Sequence, residues 1–108
     1  MNVEQFRALA LALPGATEHD HHGRPSFRVS GRIFATVWTD ETVNIMAGPG
    51  RIEAAVAEEP DVCRSVYWGK RLAAVGVDLL RVDPLLVEDL LDHAWRAKAP
   101  PARQRENG

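Results

Sequence analysis

Apolar and polar positions along the chain follow a helical period at both ends and an alternating period between them. A helix is predicted at the N-terminus, because apolar residues recur three or four positions apart at Val3, Phe6, Leu9, Ala10 and Leu13. Asn2 can cap this helix, with Gln5 in the capping-box position, and Pro14-Gly15 ends it.

The centre of the chain predicts strands. Residues 16–25 are mostly polar and are expected to form a loop. Alternating apolar positions then predict strands over residues 27–29, 33–37 and 42–46, joined by a tight turn at Ser30-Gly31 and a polar turn at Thr39–Glu41. Three strands joined in this way form a meander.

The second half predicts a short helix, a further strand pair and a long closing helix. The short helix covers residues 51–59, and strands over 62–68 and 72–79 flank a turn at Gly69-Lys70. Asp83 can cap the closing helix, with Pro84 at its first position. Its apolar stripe consists of Leu86, Val87, Leu90, Leu91, Ala94 and Trp95.

These elements predict an α+β fold of two layers. About five antiparallel strands pack against the N- and C-terminal helices and the short middle helix, because strands joined by tight turns pair antiparallel. Residues 1–101 are expected to form one domain, and residues 102–108 a disordered tail.

Composition indicates the cellular compartment. The one cysteine, Cys63, excludes an internal disulfide, fits a reducing compartment and is expected to be a small buried hydrophobe. The chain contains no apolar stretch long enough for a membrane helix, and its N-terminus has no signal-peptide pattern. The expected location is the cytoplasm.

Charge is distributed unevenly, although the formal net charge is only −2. Residues 22–38 and 62–77 contain six of the 13 basic residues and none of the acidic ones. The rest of the chain therefore holds seven basic and 15 acidic groups, a balance of −8. Basic hairpins can contact nucleic-acid phosphates, whereas the alternative is an ordinary solvated face of a sheet.

The histidines at positions 19, 21 and 22 raise a second possibility, a metal site. Ligands so close together in one loop cannot easily surround an ion, and no second cluster stands elsewhere as a partner. No metal or other cofactor is therefore expected. No nucleophile has recognisable flanking sequence, so the chain is expected not to be an enzyme.

Six short motifs occur in order along the chain: Leu13-Pro14-Gly15, residues 22–29 (HGRPSFRV), residues 31–35 (GRIFA), Gly69-Lys70, Ala94-Trp95-Arg96 and Ala99-Pro100. Together they resemble the MmcQ/YjbR family of small bacterial proteins, and the resemblance covers about residues 6–101.

The resemblance implies a frataxin-like (CyaY-like) fold and DNA binding through a double wing of two hairpins. Carried over position by position, the contacts are Arg28, Arg32, Arg64, Lys70 and Arg71, with Trp68 as an aromatic contact. This chain has Leu72-Ala73-Ala74 where the family often has an aromatic soon after the second turn. Its first helix has Glu4 as the sole acidic residue, which argues against an iron-handling role, because hard cations need clustered carboxylates.

Two functions follow from these observations. The favoured one is a DNA-binding protein, a monomer or weak dimer, that contacts nucleic acid through the two basic hairpins. The alternative is a protein- or small-ligand-binding domain without a nucleic-acid role, which the overall acidity favours. The spatial arrangement of the hairpin cations distinguishes the two.

Overall fold

The structure, a computed structural model, describes residues 1–101, so the predicted disordered tail at 102–108 lies outside the described residues. Three helices and six strands follow one another as α1 (Val3–Leu11), β1 (Ala16–His21), β2 (Arg24–Val29), β3 (Arg32–Val37), β4 (Thr42–Ile45), α2 (Pro49–Glu58), β5 (Cys63–Trp68), β6 (Arg71–Asp78) and α3 (Pro84–Lys98). This confirms the predicted α+β fold.

The six strands form one antiparallel sheet in the order β1-β2-β3-β4-β6-β5. The predicted meander is β2-β3-β4, and the predicted second pair is β5-β6. The meander and the second strand pair form one sheet because β6 pairs antiparallel with β4. This pairing places Asn44 opposite Gly76. Strands β1 and β5 are left at the edges.

The predicted loop at residues 16–25 is wrong. Residues 16–21 form edge strand β1, and β2 begins at Arg24, so the sheet has six strands where about five were expected. Five of the six residues of β1 are exposed, which removes the apolar alternation by which a strand is recognised. His22 and Gly23 form the turn between the two strands, with φ values of 53° and 81°.

All three helices contribute to a core on one face of the sheet. Register places Phe27, Ala35, Ile45 and Val75 on this face, because directly paired residues point the same way. They are fully buried in the same cluster as side chains from α1, α2 and α3, among them Phe6, Ile52 and Trp95. Cys63 belongs to this cluster too, which confirms that it is a buried hydrophobe.

The opposite face of the sheet carries Ser26, Thr36, Asn44 and Arg64, and we call it the open face. None of the helices in residues 1–101 is both long and apolar enough to cross a membrane.

The two ends of the sheet differ in what they carry. The β2–β3 and β5–β6 turns lie at the same end, because β2, β4 and β5 all run towards it. Helix α3 starts beyond the other end of β6 and packs along β3 and β4, so its last turn returns to the end with the two hairpin turns. We call this end, with the two turns and the last residues of α3, the turn end.

Candidate nucleic-acid interface

The β5–β6 hairpin presents three of the predicted contact residues at its tip. Gly69, with a φ of 63°, takes the first turn position and Lys70 the second. Arg71 pairs with Trp68 across the hairpin, and its guanidinium lies 5.4 Å from the centre of the indole ring. Trp68 remains 50% exposed, so this tip combines two cations with an aromatic surface.

The β2–β3 hairpin brings Arg32 to the same end of the molecule. Ser30 and Gly31 form its two-residue turn, with φ values of 50° and 80°. A positive φ at both central positions is the type I′ arrangement, whose twist matches that of the flanking strands. Arg32 follows the turn directly, and its Nη1 donates to the carbonyl oxygen of Lys98 at 3.4 Å.

Lys98 completes a cluster of cations at the turn end. The pKa of its ammonium is lowered, first by partial burial and then by the positive charges of Arg32 and Arg71. Arg71 and Lys98 line one shallow pocket, and Arg32 donates to the Lys98 carbonyl. Arg32, Arg71 and Lys98 therefore converge from three separate elements, and we call them the turn-end cluster.

Two predicted contacts, Arg28 and Arg64, lie outside this cluster, on the open face. Arg28 is half-buried beside the edge strand, opposite Thr17 and Ile33, and its Nε is buried without a hydrogen-bond partner among the described residues. Arg64 lies flat over Gly76, where an added Cβ would come within 3.0 Å of its Nε. The six predicted residues thus divide into four at the turn end and two on the open face.

Acidic side chains gather at the end of the sheet opposite the turn end. The β3–β4 turn, the approach to β5, the end of β6 and the N-cap of α3 contribute Asp40, Glu41, Asp61, Asp78 and Asp83. Arg81 donates to Asp78, and this hydrogen bond lowers the pKa of the carboxyl group. The molecule is therefore polarised along its strands, with cations concentrated at the turn end.

A cleft of about 240 Å³ occupies the open face. The side chains around it all come from strands or turns: His21, His22, Arg24, Ile33, Thr36, Trp38, Asn44, Met46 and Trp68. At its rim the Arg24 guanidinium lies 3.9 Å from the centre of the Trp38 ring, and its Nε donates to the Trp38 carbonyl at 3.1 Å.

The histidines do not converge on a common point. His19 shares a hydrogen bond with the Thr17 hydroxyl at 2.9 Å, while the rings of His21 and His22 meet edge to face with their centres 4.5 Å apart. Across residues 1–101, no three His, Cys, Asp or Glu side chains come together so as to hold a metal ion.

A comparison with known protein families covers most of the residues that form this arrangement. The sequence model of the YjbR family matches residues 11–97, which contain all six strands and most of α3. The chain belongs to the YjbR family. Within this YjbR-family chain both basic hairpins lie inside the matched region, whereas Lys98 follows it by one residue. No curated protein matches the chain.

Sequence reasoning missed Lys98, Arg24 and Asn44 as candidate site residues. Lys98 lies in the last turn of α3, where a cation is favourable for the helix dipole alone, and nothing in its sequence context indicates Arg32 as a neighbour. Asn44 lies between two apolar residues in the buried strand β4. A polar side chain at a buried strand position is the one sequence signal that could have marked Asn44 as a candidate.

Proposed function

We propose that this YjbR-family chain binds DNA, and nucleic acid more generally, through the turn end. The observation that carries the proposal is the convergence of three cations: Arg32 donates to the Lys98 carbonyl, and Arg71 and Lys98 line the same shallow pocket. Holding like charges together is unfavourable in the free protein, and a bound phosphate would relieve it.

The spacing of the hairpins supports contacts across a groove. Strand β4 alone lies between the β2–β3 and β5–β6 hairpins, so the centres of the two hairpins are three strand spacings apart, about 14 Å. The major groove of B-DNA is about 12 Å wide. Arg32 on one hairpin and Lys70 on the other can therefore meet phosphates on the two sides of one groove.

The chemistry of these side chains points to low sequence specificity. Arginine and lysine contacts to phosphate position a protein but do not distinguish bases. Exposed Trp68 adds an aromatic surface that can stack on a base or wedge into a base step, whatever the sequence. Arg28 and Arg64, farther along the open face, add attraction at longer range.

In this proposal the protein binds its partner without catalysing a reaction and acts in the cytoplasm as a monomer or weak dimer. Cys63 supports the absence of catalysis and the cytoplasmic location. Burial, reinforced by the charge of Glu59, raises the pKa of its thiol, so Cys63 is not an activated nucleophile. A lone buried thiol also fits a reducing compartment.

The test is a fluorescence-anisotropy titration of labelled duplex and single-stranded DNA at low and moderate salt. We expect binding at low salt, with a slope of log K against log[salt] of about −3 to −4 for three or four phosphate contacts. The double variant Arg32→Gln/Lys70→Gln should weaken binding by tenfold or more on every sequence and should reduce the slope by about two.

Arg81→Gln is the matched control, because it removes a cation from the opposite end of the sheet. It should leave the affinity within about twofold of the wild-type value. Absence of binding to either DNA at low salt, or an equal loss in the control and the double variant, would overturn the proposal.

A further inference from the structure

The centre of the open face holds a polar group without a partner. Asn44 is 7% exposed, lies on the internal strand β4, and lines the cleft. Its Oδ1 is buried without a hydrogen-bond partner among the described residues. A buried carbonyl oxygen in this condition is unfavourable in the free protein, so a ligand that donates an N–H to it gains an interaction that the fold leaves unmade.

The cleft around Asn44 has the lining of a small-molecule site. Its volume of about 240 Å³ is below the roughly 300–1,000 Å³ of sites for drug-sized ligands, so the ligand it fits is a single planar ring with a substituent. Ile33 and Met46 give it an apolar surface, Trp38 and Trp68 contribute aromatic rings, and Thr36 adds a hydroxyl beside Asn44. Flat apolar contact with one buried amide favours a planar ring that carries its own hydrogen-bonding edge.

A cation stands at the rim of the same cleft. Arg24 is held in place by its stacking on the Trp38 ring and by the hydrogen bond from its Nε to the Trp38 carbonyl. The two outer guanidinium nitrogens remain available to pair with an anion. From the strand register, the Cα atoms of Arg24 and Asn44 are about 12 Å apart. Since the arginine side chain spans much of that distance, an anionic group on a ring held at Asn44 can reach the guanidinium.

We propose that this cleft binds a planar heteroaromatic acid. The ring presents an adjacent N–H and C=O to the Asn44 carboxamide and carries a carboxylate or phosphate that pairs with Arg24. The assignment does not rest on DNA binding, because the cleft lies on the open face and shares only Trp68 with the turn end.

Orotate is the probe, because it joins a pyrimidine imide edge to a carboxylate on one ring. Binding is followed by amide chemical shifts of the protein at fixed pH. We expect saturable binding, with shifts centred on β3, β4 and the β1–β2 turn. Three compounds that each lack one feature should bind at least tenfold more weakly: 1,3-dimethylorotate without the N–H donors, uracil without the acid, and benzoate without the edge.

Two variants locate the site. Asn44→Leu keeps the branched shape of the side chain but removes the amide, and Arg24→Gln removes the cation; each should weaken orotate binding at least tenfold. Arg96→Gln on α3 is the control and should leave the affinity unchanged. If Asn44→Leu does not fold, the comparison of orotate with 1,3-dimethylorotate still tests the role of the amide. No orotate binding at 5 mM (on the order of the weakest useful affinity), or equal binding of orotate and its dimethyl derivative, would overturn the proposal.

Discussion

Lys98 carries a charge that is unfavourable for folding and that, in the proposed function, contacts phosphate. Partial burial and the charges of Arg32 and Arg71 lower its pKa below the ordinary value of 10.5. The folded state therefore holds this proton less tightly than the unfolded chain, so the free energy of unfolding rises as the pH increases from the lowered pKa towards 10.5. Below that window the unfavourable contribution is present in full.

Replacing Lys98 with methionine should stabilise the protein and weaken DNA binding. At pH 7 and low salt we expect the free energy of unfolding to rise by about 0.5 kcal/mol, because the partly buried ammonium and its repulsion from Arg32 and Arg71 are both removed. Urea denaturation measures this gain, which should shrink as the pH rises towards 10.5 and as salt is added. A variant that is less stable than wild type at pH 7 contradicts this interpretation.

Trp95 is the residue that joins α3 to the end of α1. It is fully buried, and its indole Nε1 donates to the Pro14 carbonyl oxygen at 2.8 Å. Trp95→Phe should lower the free energy of unfolding by about 2–3 kcal/mol, because it leaves a cavity and an unpaired carbonyl. The matched control is Trp38→Phe at an exposed position, for which urea denaturation should show a change several times smaller.

Among the elements, the β2–β3 turn carries a local conflict between sequence and backbone. Ser30 adopts a φ of 50° at the first turn position, where asparagine and glycine are favoured. Ser30→Asn should raise the free energy of unfolding by about 0.5 kcal/mol, and Gly31→Ala, at a φ of 80°, should lower it by about 1 kcal/mol. Thermal unfolding of both variants checks the pair, and a destabilised Ser30→Asn protein contradicts the assigned turn type.

The elements that the sequence predicts well are those whose start and end signals are made by neighbouring residues. The capping box of Asn2 and Gln5 and the Asp83-Pro84 start of α3 are present as expected. Helix α2 begins two residues earlier than predicted, because Pro49 occupies its first helical position. Strand β1 escaped prediction because an edge strand with polar side chains on both faces has no apolar alternation.

The candidate site was predictable in part, for the same reason. The cations of the two hairpin turns stand in the sequence beside their turn residues, so Arg32, Lys70 and Arg71 could be identified locally. Their meeting with Lys98 depends on β6 pairing with β4 and on the path of α3, both of which are long-range features. The cleft at Asn44 depends on side chains from five strands, which no local pattern brings together.

At the scale of the whole molecule, charge separates along the strands. Basic groups of two hairpins and one helix meet at the turn end, while acidic groups from two connections, a strand end and a helix cap lie at the other. A molecule of small net charge can be oriented by such a separation, so that a polyanion approaches the turn end first. The proposed DNA binding is therefore compatible with a formal net charge of −2.

The most direct test of this account is the footprint of a DNA duplex on the backbone amides, measured by NMR at low salt. We expect chemical-shift changes at residues 30–32, 69–71 and 97–99, falling off along the strands and absent from the β3–β4 turn and residues 79–83. The changes should fade as salt is raised from 20 to about 200 mM. Changes centred on the acidic end, or no change at any salt concentration, would contradict nucleic-acid binding at the turn end.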